Sequence, residues 1–415
     1  MSARRTVTDA ERRHRLGARH LLRPGARAAR IEDVADALVG LHATDPATVF
    51  LSAAARLAKP TVAEVERGLY DDLTVTRMLC MRRTMFVVPT PLVPLVHAST
   101  ARAVAAKERA GCAAFLAGAG WDERRYAAVE REALAALAAR GTAGAAELAV
   151  DVTALAEKVL VHPGKSYEAW QTAGSRILRV LAAEGRIRRA RPRGSWTSSQ
   201  FRWTVAHGST GDGAGTGPGA DSDPEFDLGL HTDPAAAKSA LALRYLHAFG
   251  PVTVDDLKWW TGWTLTDARK ALAAAGAVEV DLDGSGTGYL TPDDEAPVPA
   301  VEPWVALLPG LDPTPMGRRH RDFYLDPAHV PALFDRNGNI GPTVWADGRI
   351  VGAWAQRADG EVAYRILTDV GAETREAVAG RAGELAAWLG PTRVTPAYRT
   401  PLERELAGGR AGRKG

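Results

Sequence analysis

The chain has 415 residues, of which 46% are hydrophobic and 24% charged, so it is long and apolar enough for roughly two to four globular domains. Its 52 basic and 49 acidic residues leave a net charge of only +3, and this balance alone does not indicate a nucleic-acid-binding protein. The two cysteines are too few for a disulfide framework or a cysteine-based zinc site, and the sequence shows neither a membrane-spanning apolar run nor a signal peptide. We therefore expect a cytoplasmic protein.

The first 120 residues have the loosest pattern of the chain. Helices are predicted at 8–21, 31–40 and 46–57, and the β-prone segments TVTRMLC and TMFVVPT then predict a hairpin. Helices followed by a hairpin are the order of a winged helix-turn-helix unit.

Residues 121–206 show this order more clearly. A helix is predicted at 123–139, a short helix in AGAAELAV, and, after an inserted segment, a longer helix in SYEAWQTAGSRILRVLAAEG. The segment RIRRARPRGSWTSSQFRWT then predicts two strands that are joined by a turn at 192–194.

A Gly-, Ser- and Asp-rich segment at 207–231 has almost no apolar residues and predicts a flexible linker. The clearest unit follows it. A helix is predicted at 233–248, Thr253 is placed to cap the helix VDDLKWW, and Thr264 or Thr266 is placed to cap the helix DARKALAAAG. AVEVDLDGSGTGYL then predicts a hairpin around a Gly/Ser turn.

From about residue 300 the sequence predicts a β-rich domain. EPWVALLPGLDP, TVWADGRIVGAWAQ and EVAYRILTD are strand-like, and GAETREAVAGRAGELAAWLG is an amphipathic helix. The order of elements therefore predicts three winged-helix units followed by a β-rich domain. The predicted divisions are winged-helix units at 1–120, 121–206 and 232–298, a linker at 207–231, the β-rich domain at 299–405 and a disordered basic tail at 406–415.

A dense cluster of arginines lies on the predicted wing of the second unit: Arg186, Arg188, Arg189, Arg191 and Arg193. Because alternate residues of a strand face opposite sides, we expect Arg186 and Arg188 on one face and the other three on the opposite face. Guanidinium groups at this density indicate contact with DNA phosphates, and the alternative is a solvated arginine-rich hairpin.

A second basic cluster, Arg318, Arg319, His320 and Arg321, follows the Gly- and Pro-rich segment GLDPTPMG. That segment predicts a loop or the start of a hairpin, so these cations are expected to be exposed. The sequence leaves two alternatives of equal weight for this cluster. Its cations either contact DNA, at the phosphates or in the minor groove, or form an ordinary charged turn.

The segment LVGLHATDPATVF brings His42, Thr44 and Asp45 to the start of a predicted helix that opens with Pro46. Either Thr44 or Asp45 simply caps this helix, or the three polar groups hold a water molecule at a catalytic site. The sequence has no P-loop, no dinucleotide-binding glycine motif, no nucleophile elbow and no histidine cluster of metal-site spacing, so we expect no cofactor and no metal.

Three segments resemble one protein family. These are GLHATDPATVFLSAAARL, LLPGLDPTPMGRRHRDFYLDP and NGNIGPTVWADGRIVGAWAQR, and the resemblance covers about residues 10–400. The family comprises the winged-helix bacterial DNA glycosylases of the AlkZ and YcaQ type. Its AlkZ-like branch has a Gln–hydrophobic–Gln motif where this chain has His42, Ala43 and Thr44.

The resemblance implies an α+β fold with three tandem winged helix-turn-helix units around a DNA channel and a C-terminal β-barrel-like domain. It also implies a monomeric, monofunctional glycosylase that excises N3- or N7-alkylated or bulky purine adducts from double-stranded DNA at the nucleoid, with a role in self-resistance to genotoxins. A C-terminal hairpin near the lesion is implied too, and it would place Arg318, Arg319 and Arg321 against the DNA.

The altered motif still contains groups suited to the reaction. Alkylated purines are good leaving groups, so the enzyme mainly orients a water molecule and stabilises a cationic sugar. A neutral His42 could orient that water, Thr44 could hold it, and Asp45 could supply negative charge. The alternative to an enzyme is a DNA-binding protein that does not excise bases and acts either as a regulator or as a damage-binding protein.

Overall fold

The computed structural model describes most of the chain, namely residues 4–161, 164–166, 168–206, 228, 231–284 and 286–408. Nearly all of the predicted linker at 207–231, and residues 409–415 of the predicted tail, lie outside the described residues. The chain divides into two compact units. The first unit comprises Met1–Val75, Phe86–Pro89 and Lys238–Gly415, and the second comprises Thr76–Met85 and Thr90–Ala237.

The described residues form sixteen α-helices, and none of them is long and apolar enough to cross a membrane. In chain order they are α1 (Asp9–Arg19), α2 (Ile31–Ala37), α3 (Pro46–Ala54), α4 (Val62–Glu66), α5 (Val93–Val96), α6 (Arg102–Ala117), α7 (Glu123–Arg140), α8 (Ala145–Asp151), α9 (Ala173–Ala183), α10 (Pro234–Phe249), α11 (Val254–Thr261), α12 (Leu265–Ala274), α13 (Pro313–Met316), α14 (Val330–Leu333), α15 (Gly371–Leu389) and α16 (Pro401–Leu406).

Strands alternate with these helices along the described chain, as expected for a mixed α+β fold. They are β1 (Thr6–Val7), β2 (Leu41–His42), β3 (Val75–Leu79), β4 (Met85–Pro89), β5 (Ala143–Gly144), β6 (Lys158–Val161), β7 (Ala169–Thr172), β8 (Ile187–Ala190), β9 (Arg202–Val205), β10 (Val278–Leu282), β11 (Gly286–Leu290), β12 (Val305–Leu308), β13 (Thr343–Ala346), β14 (Arg349–Gln356) and β15 (Val362–Ile366).

In the second unit, β5, β9 and β8 form a small sheet in that order, and all neighbours are antiparallel. The predicted pair of strands is confirmed, since Ile187 lies opposite Val205 and Ala190 opposite Arg202, but residues 191–201 join them where the sequence predicted a turn at 192–194. The hydrophobic core of this unit fills the space between α6, α7, α9 and the sheet, with Leu116, Ile177 and Leu181 fully buried.

The helix predicted over SYEAWQTAGSRILRVLAAEG is too long. The helix α9 begins only at Ala173, because Thr172 has extended backbone and its side chain accepts a hydrogen bond from the Ser175 amide. The residues before Thr172 form β7, which pairs with β6 as an antiparallel hairpin. The inserted segment therefore contains a hairpin that periodicity did not reveal.

In the first unit, the predicted order of three helices and a hairpin at 232–298 is confirmed by α10, α11, α12, β10 and β11. Thr253 caps α11, and the left-handed Gly262 ends it. Thr264, rather than Thr266, caps α12 through its contact with the Asp267 amide. The strand β1 adds to this hairpin by pairing in parallel with β10.

The C-terminal part of the first unit holds an antiparallel sheet of β12, β13, β14 and β15 in chain order. The outer strands β12 and β15 are not neighbours in this sheet, so the described residues form an open sheet and no closed barrel. The expected β-barrel-like closure is wrong for this part of the chain. Trp345 and Leu308 lie in the core on one side of the sheet, together with Leu16 of α1.

Candidate functional site

The segment that carries His42 is held on both sides by regular structure in the first unit. Its strand β2 pairs antiparallel with β4, so that Leu41 lies opposite Val87 and His42 opposite Phe86. Just before the strand, Val39 has a φ of 58° and Gly40 a φ of 149°, and both values are unusual for an L-amino acid. A Cβ at Gly40 would lie 3.1 Å from the Val87 carbonyl oxygen, so the sharp bend requires glycine.

His42 is only 5% exposed and packs against an aromatic cluster. The centroid of its ring lies 5.3 Å from that of Phe86, which in turn contacts Trp260 edge-on at 6.4 Å. Trp260 stacks on Tyr245 at 4.8 Å. The cluster restricts the orientation of the imidazole and lowers the polarity around it, which strengthens any electrostatic interaction that the imidazole makes.

Thr44 and Asp45 differ in environment although they are adjacent. Thr44 is exposed, whereas Asp45 is 8% exposed. One carboxylate oxygen of Asp45 accepts a 3.0 Å hydrogen bond from the Ala47 amide and so caps α3, while the other accepts a 2.9 Å bond from the Ala397 amide. Of the two caps that the sequence left open, Asp45 is therefore the one used.

A small cavity of about 20 Å³ adjoins Asp45, and this volume holds about one water molecule. Thr48, Gly310 and Gln356 contribute to its lining. The Thr48 hydroxyl donates to the Gly310 carbonyl at 2.9 Å, and the Gln356 amide bonds the backbone of Thr392 and Val394. The polar groups around this cavity are thus already satisfied by the protein, and they hold α3 against the C-terminal sheet.

The segment GLDPTPMG has a structural task that the sequence did not reveal. Asp312 is fully buried and forms a bidentate ion pair with Arg56, with oxygen–nitrogen distances of 2.7 and 2.8 Å. Ser52 also donates to Asp312, and the Arg56 guanidinium donates to the Thr314 hydroxyl. We call Arg56, Asp312, Ser52 and Thr314 the buried ion-pair cluster. It joins the end of α3 to the start of α13.

His20 extends this cluster toward α10. Its ring nitrogens contact the Thr314 hydroxyl at 2.9 Å and the Ala248 carbonyl at 3.1 Å. Burial, together with the nearby charges of Arg56 and Arg318, holds the pKa of His20 well below its usual range. His20 is therefore a neutral structural residue of the core.

The expectation that the cations of the second basic cluster are exposed is wrong for Arg318. This side chain is 2% exposed, and its guanidinium donates to the carbonyls of Pro251 at 2.7 Å and of Phe249. It also lies 5.1 Å from the centroid of the Phe323 ring. Arg318 satisfies buried backbone acceptors, so it cannot reach DNA from this position.

The other members of that cluster are more accessible. Arg319 is exposed, while Arg321 is half-buried, donates to the Pro315 carbonyl at 2.9 Å and lies over the Trp259 ring. His320 contacts the carboxylate of Asp256 at 3.3 Å, and this contact raises the pKa of His320 against the effect of burial.

Asp256 organises the backbone at this point. It is fully buried, and it accepts hydrogen bonds from the amides of Thr253, Arg319 and His320 at 2.9–3.0 Å. Burial alone would raise the pKa of Asp256, but the hydrogen bonds from the side chain and backbone of His320 hold it well below its usual range. The carboxylate is therefore ionised and fixes the basic turn on α11.

The five wing arginines occupy different positions around β8 in the second unit. Arg189 lies 3.6 Å from the centroid of the Phe201 ring, and Arg186 lies 3.8 Å from Glu130. Arg193 has 67% of its side chain exposed in an ion pair with Glu147, and Arg191 is also exposed. Arg188 is half-buried on the strand itself.

The described residues contain no group of three or more histidine, cysteine, aspartate or glutamate side chains that could hold a metal ion. Both cysteines are buried, and burial raises the pKa of Cys80 to about 12, so this thiol is not a nucleophile at neutral pH.

Comparison with known proteins gives consistent findings. A family model described as "DNA glycosylase AlkZ-like" matches residues 35–388. An interstrand DNA cross-link repair glycosylase of Streptomyces sahachiroi is 29% identical over 175 residues, which are 40% of this chain and 47% of that protein. The match thus spans about half the length of this curated relative.

A solved structure has the same fold. The DNA glycosylase AlkZ of Streptomyces sahachiroi superposes with a TM-score of 0.67 at 21% sequence identity, and the match covers 94% of this chain and 98% of that chain.

Proposed function

The chain belongs to the AlkZ-like DNA glycosylase family, and we propose that it hydrolyses the N-glycosidic bond of N3- or N7-alkylated or bulky purine adducts in double-stranded DNA. The observation that carries this proposal is the position of His42, which lies in the segment where the resemblance implies catalysis and is held by β4 and the aromatic cluster. We further propose that the enzyme is monofunctional and protects its cell against genotoxins that form such adducts.

The elements support three tandem winged-helix units, with divisions near 1–120, 121–206 and 232–298. The proposed second winged-helix unit is supported by the order α7, β5, α8, α9, β8, β9, into which the hairpin of β6 and β7 is inserted, and by the sheet order β5-β9-β8. In the proposed third winged-helix unit, Val252 makes a bridge to Tyr289 of β11 and so takes the place of the short first strand. In the proposed first winged-helix unit, the strand β2 takes that place, directly before α3.

The proposed reaction uses three side chains of the segment that begins with β2, namely His42, Thr44 and Asp45. Thr44, which is exposed, holds the water molecule, and neutral His42 accepts a proton from it as its oxygen attacks C1′ of the sugar. The bond between C1′ and the purine nitrogen breaks, and the electron pair leaves with the alkylated base, whose positive charge it neutralises. Asp45 adds negative charge near the developing sugar cation and positions α3 through its two backbone hydrogen bonds.

The test is release of free base from duplex DNA that contains N7-methylguanine or an N3-alkyladenine. We expect His42→Ala to lower the single-turnover rate by roughly 100-fold or more, because a positioned general base contributes about that factor. The affinity for the duplex should remain unchanged. The matched control is His247→Ala, which removes an exposed histidine of the first unit.

Asp45→Asn separates the charge of Asp45 from its role as a helix cap. Asparagine is as good a cap as aspartate, so its amide oxygen should keep the start of α3, while the negative charge and the hydrogen bond from the Ala397 amide are lost. We expect slower base release with the duplex affinity kept, and Asp45→Ala, which also loses the cap, should have the lower melting temperature of the two variants. If the wild-type protein releases no base from any of these substrates, the enzymatic proposal is wrong and the chain is a non-catalytic DNA-binding protein.

The wing of the second unit is the proposed DNA-binding surface, formed by Arg186, Arg188, Arg189, Arg191 and Arg193, with Arg319 and Arg321 of the first unit as further contacts. Replacing Arg188, Arg191 and Arg193 by alanine spares the packing of Arg189 on Phe201. Removing each arginine that binds a phosphate should reduce the magnitude of the salt slope of log K by about 0.9. The control is the triple alanine variant of Arg336, Arg375 and Arg404, which are exposed, because it removes the same number of positive charges from elsewhere on the protein.

A further inference from the structure

The hairpin of β6 and β7 carries an exposed tryptophan that no part of the proposed reaction uses. Trp170 is 64% exposed, whereas most large apolar side chains of the described residues are buried. Trp170 lies directly opposite Leu160 across the hairpin, and Lys158 lies opposite Thr172. Because paired residues of antiparallel strands point to one side, Trp170, Leu160 and Lys158 share the outer face of the hairpin.

The other face of the hairpin accounts for its stability. Val159 and Val161 are buried, and both belong to this opposite face. The hairpin is therefore anchored on the second unit by its valines. Trp170 does not contribute to that anchoring, so exposing its large apolar area has no structural benefit.

The position of Trp170 in the fold indicates its partner. It lies two residues before Thr172, which caps α9, so the indole stands at the N-terminal end of that helix. In a winged-helix unit this helix follows the turn and its N-terminal residues approach the bases. The exposed side chains of α9 include Ser175 and Arg179, and both residue types bind nucleic acid.

The charges around the hairpin suit the same partner. Lys158 is exposed on the same face of the hairpin as Trp170. The nearby carboxylates are already used: Glu157 pairs with Arg125, and Glu168 accepts a hydrogen bond from the Gly164 amide. Cations beside an exposed aromatic ring are the pattern of a platform on which a nucleobase stacks.

We propose that Trp170 is a DNA-binding residue that stacks on a base displaced from the duplex at or beside the lesion. This rests on the proposed function, because it takes damaged duplex DNA as the partner. Stacking on a displaced base would favour distorted over intact DNA without any hydrogen bond to a base edge. Damage recognition would then involve the second unit.

The experiment uses the full-length protein and a duplex with one unpaired 2-aminopurine, a base whose fluorescence is quenched when it stacks on an aromatic ring. The dissociation constant and the quenching are measured for this duplex and for the fully paired one. The variants are Trp170→Ala and Trp170→Tyr. The control is Val150→Ala, which shortens another exposed apolar side chain of the second unit.

We expect Trp170→Ala to weaken binding of the bulged duplex about tenfold and to abolish the quenching. Binding of the paired duplex should change little, and Trp170→Tyr should restore most of both signals. The proposal is overturned if Trp170→Ala binds and quenches like the wild type, or if it loses affinity equally for both duplexes and tyrosine restores nothing. Base release from N7-methylguanine DNA by the wild type, measured in parallel, reports separately on the proposed function.

Discussion

Two adjacent arginines of the first unit, Arg318 and Arg319, lie in opposite environments. Arg318 is buried and donates to two backbone carbonyls, whereas Arg319 is exposed and contributes only its backbone amide to Asp256. A cluster of cations in a sequence is therefore not one surface, and each member must be judged by what its guanidinium contacts.

The two arginines should respond differently to alanine. Arg318→Ala leaves two buried carbonyls unsatisfied, so we expect the free energy of unfolding to fall by roughly 2–4 kcal/mol. Arg319→Ala keeps the amide that Asp256 needs, so it should leave the stability unchanged and reduce only the salt dependence of DNA binding. Urea denaturation and binding titrations at several salt concentrations distinguish the two. Equal loss of stability in both variants would contradict this assignment.

The pair of His320 and Asp256 makes the stability depend on pH. Because the pKa of His320 is raised in the folded protein, its contribution is fully present below the ordinary histidine pKa of about 6.5 and is lost as the pH rises through the folded value. The lowered pKa of Asp256 keeps the carboxylate charged throughout this range, and its contribution is lost only in strong acid.

We therefore expect His320→Gln to lower the melting temperature more at about pH 5.5 than at about pH 8.5. The quantity to measure is the difference in melting temperature between the variant and the wild type at each pH. The comparison is needed because the lowered pKa of His20 makes this second histidine destabilise the fold as the pH falls. His247→Gln, at an exposed position, is the control. If His320→Gln lowers the melting temperature by the same amount at both pH values, His320 contributes only packing.

At the scale of elements, β2 has two residues and needs support to hold His42 in a fixed orientation. That support comes from pairing with β4 and from the bend at Val39 and Gly40. The bend brings the backbone so close to Val87 and Val88 that a Cβ at Gly40 would be tighter than an ordinary van der Waals contact.

Gly40→Ala should consequently impair catalysis by displacing His42. The added Cβ would meet the Val87 oxygen and a Val88 methyl at 3.1 Å, and φ would stay in a region unfavourable for alanine. We expect slower base release and a lower melting temperature, with the salt dependence of binding retained. Gly25→Ala is the matched control, because a Cβ there meets nothing within 4 Å. Full activity of Gly40→Ala would show that the bend does not position His42.

On the scale of the whole molecule, the first unit is assembled from segments far apart in the chain. The ion pair between Arg56 and Asp312 joins residues 256 positions apart, and both side chains are fully buried. Such a pair is costly to break, because removing one partner leaves an uncompensated charge in the core.

Asp312→Asn should lower the free energy of unfolding of the first unit by about 3–5 kcal/mol. The double variant Arg56→Met with Asp312→Leu should lose less, because no charge then remains buried, although Ser52 and Thr314 lose their hydrogen-bond partners. Glu405→Gln, which breaks the exposed pair with Arg365, should cost less than about 1 kcal/mol. Urea denaturation monitored by tryptophan fluorescence measures all three. A double variant as unstable as Asp312→Asn would refute the explanation.

Local signals in the sequence were enough to predict much of the fold. Thr253 and Gly262 act on the backbone within a few residues, so the limits of α11 follow from them directly, and the start of α12 was narrowed to Thr264 or Thr266. The same holds for the paired strands β8 and β9, whereas the sequence left the choice between Thr44 and Asp45 open and one hydrogen bond of the structure decided it.

Contacts between distant segments were decided by the tertiary structure alone. Burial of Arg318, the partner of Asp312 and the open edge of the C-terminal sheet depend on which segments meet, and no local pattern contains that information. The hairpin of β6 and β7 escaped prediction because its strands have four residues each, too few for periodicity to distinguish them from a helix start. The sequence thus determined the family and most of the helix limits and proposed the catalytic segment, while packing determined which charged side chains remain exposed.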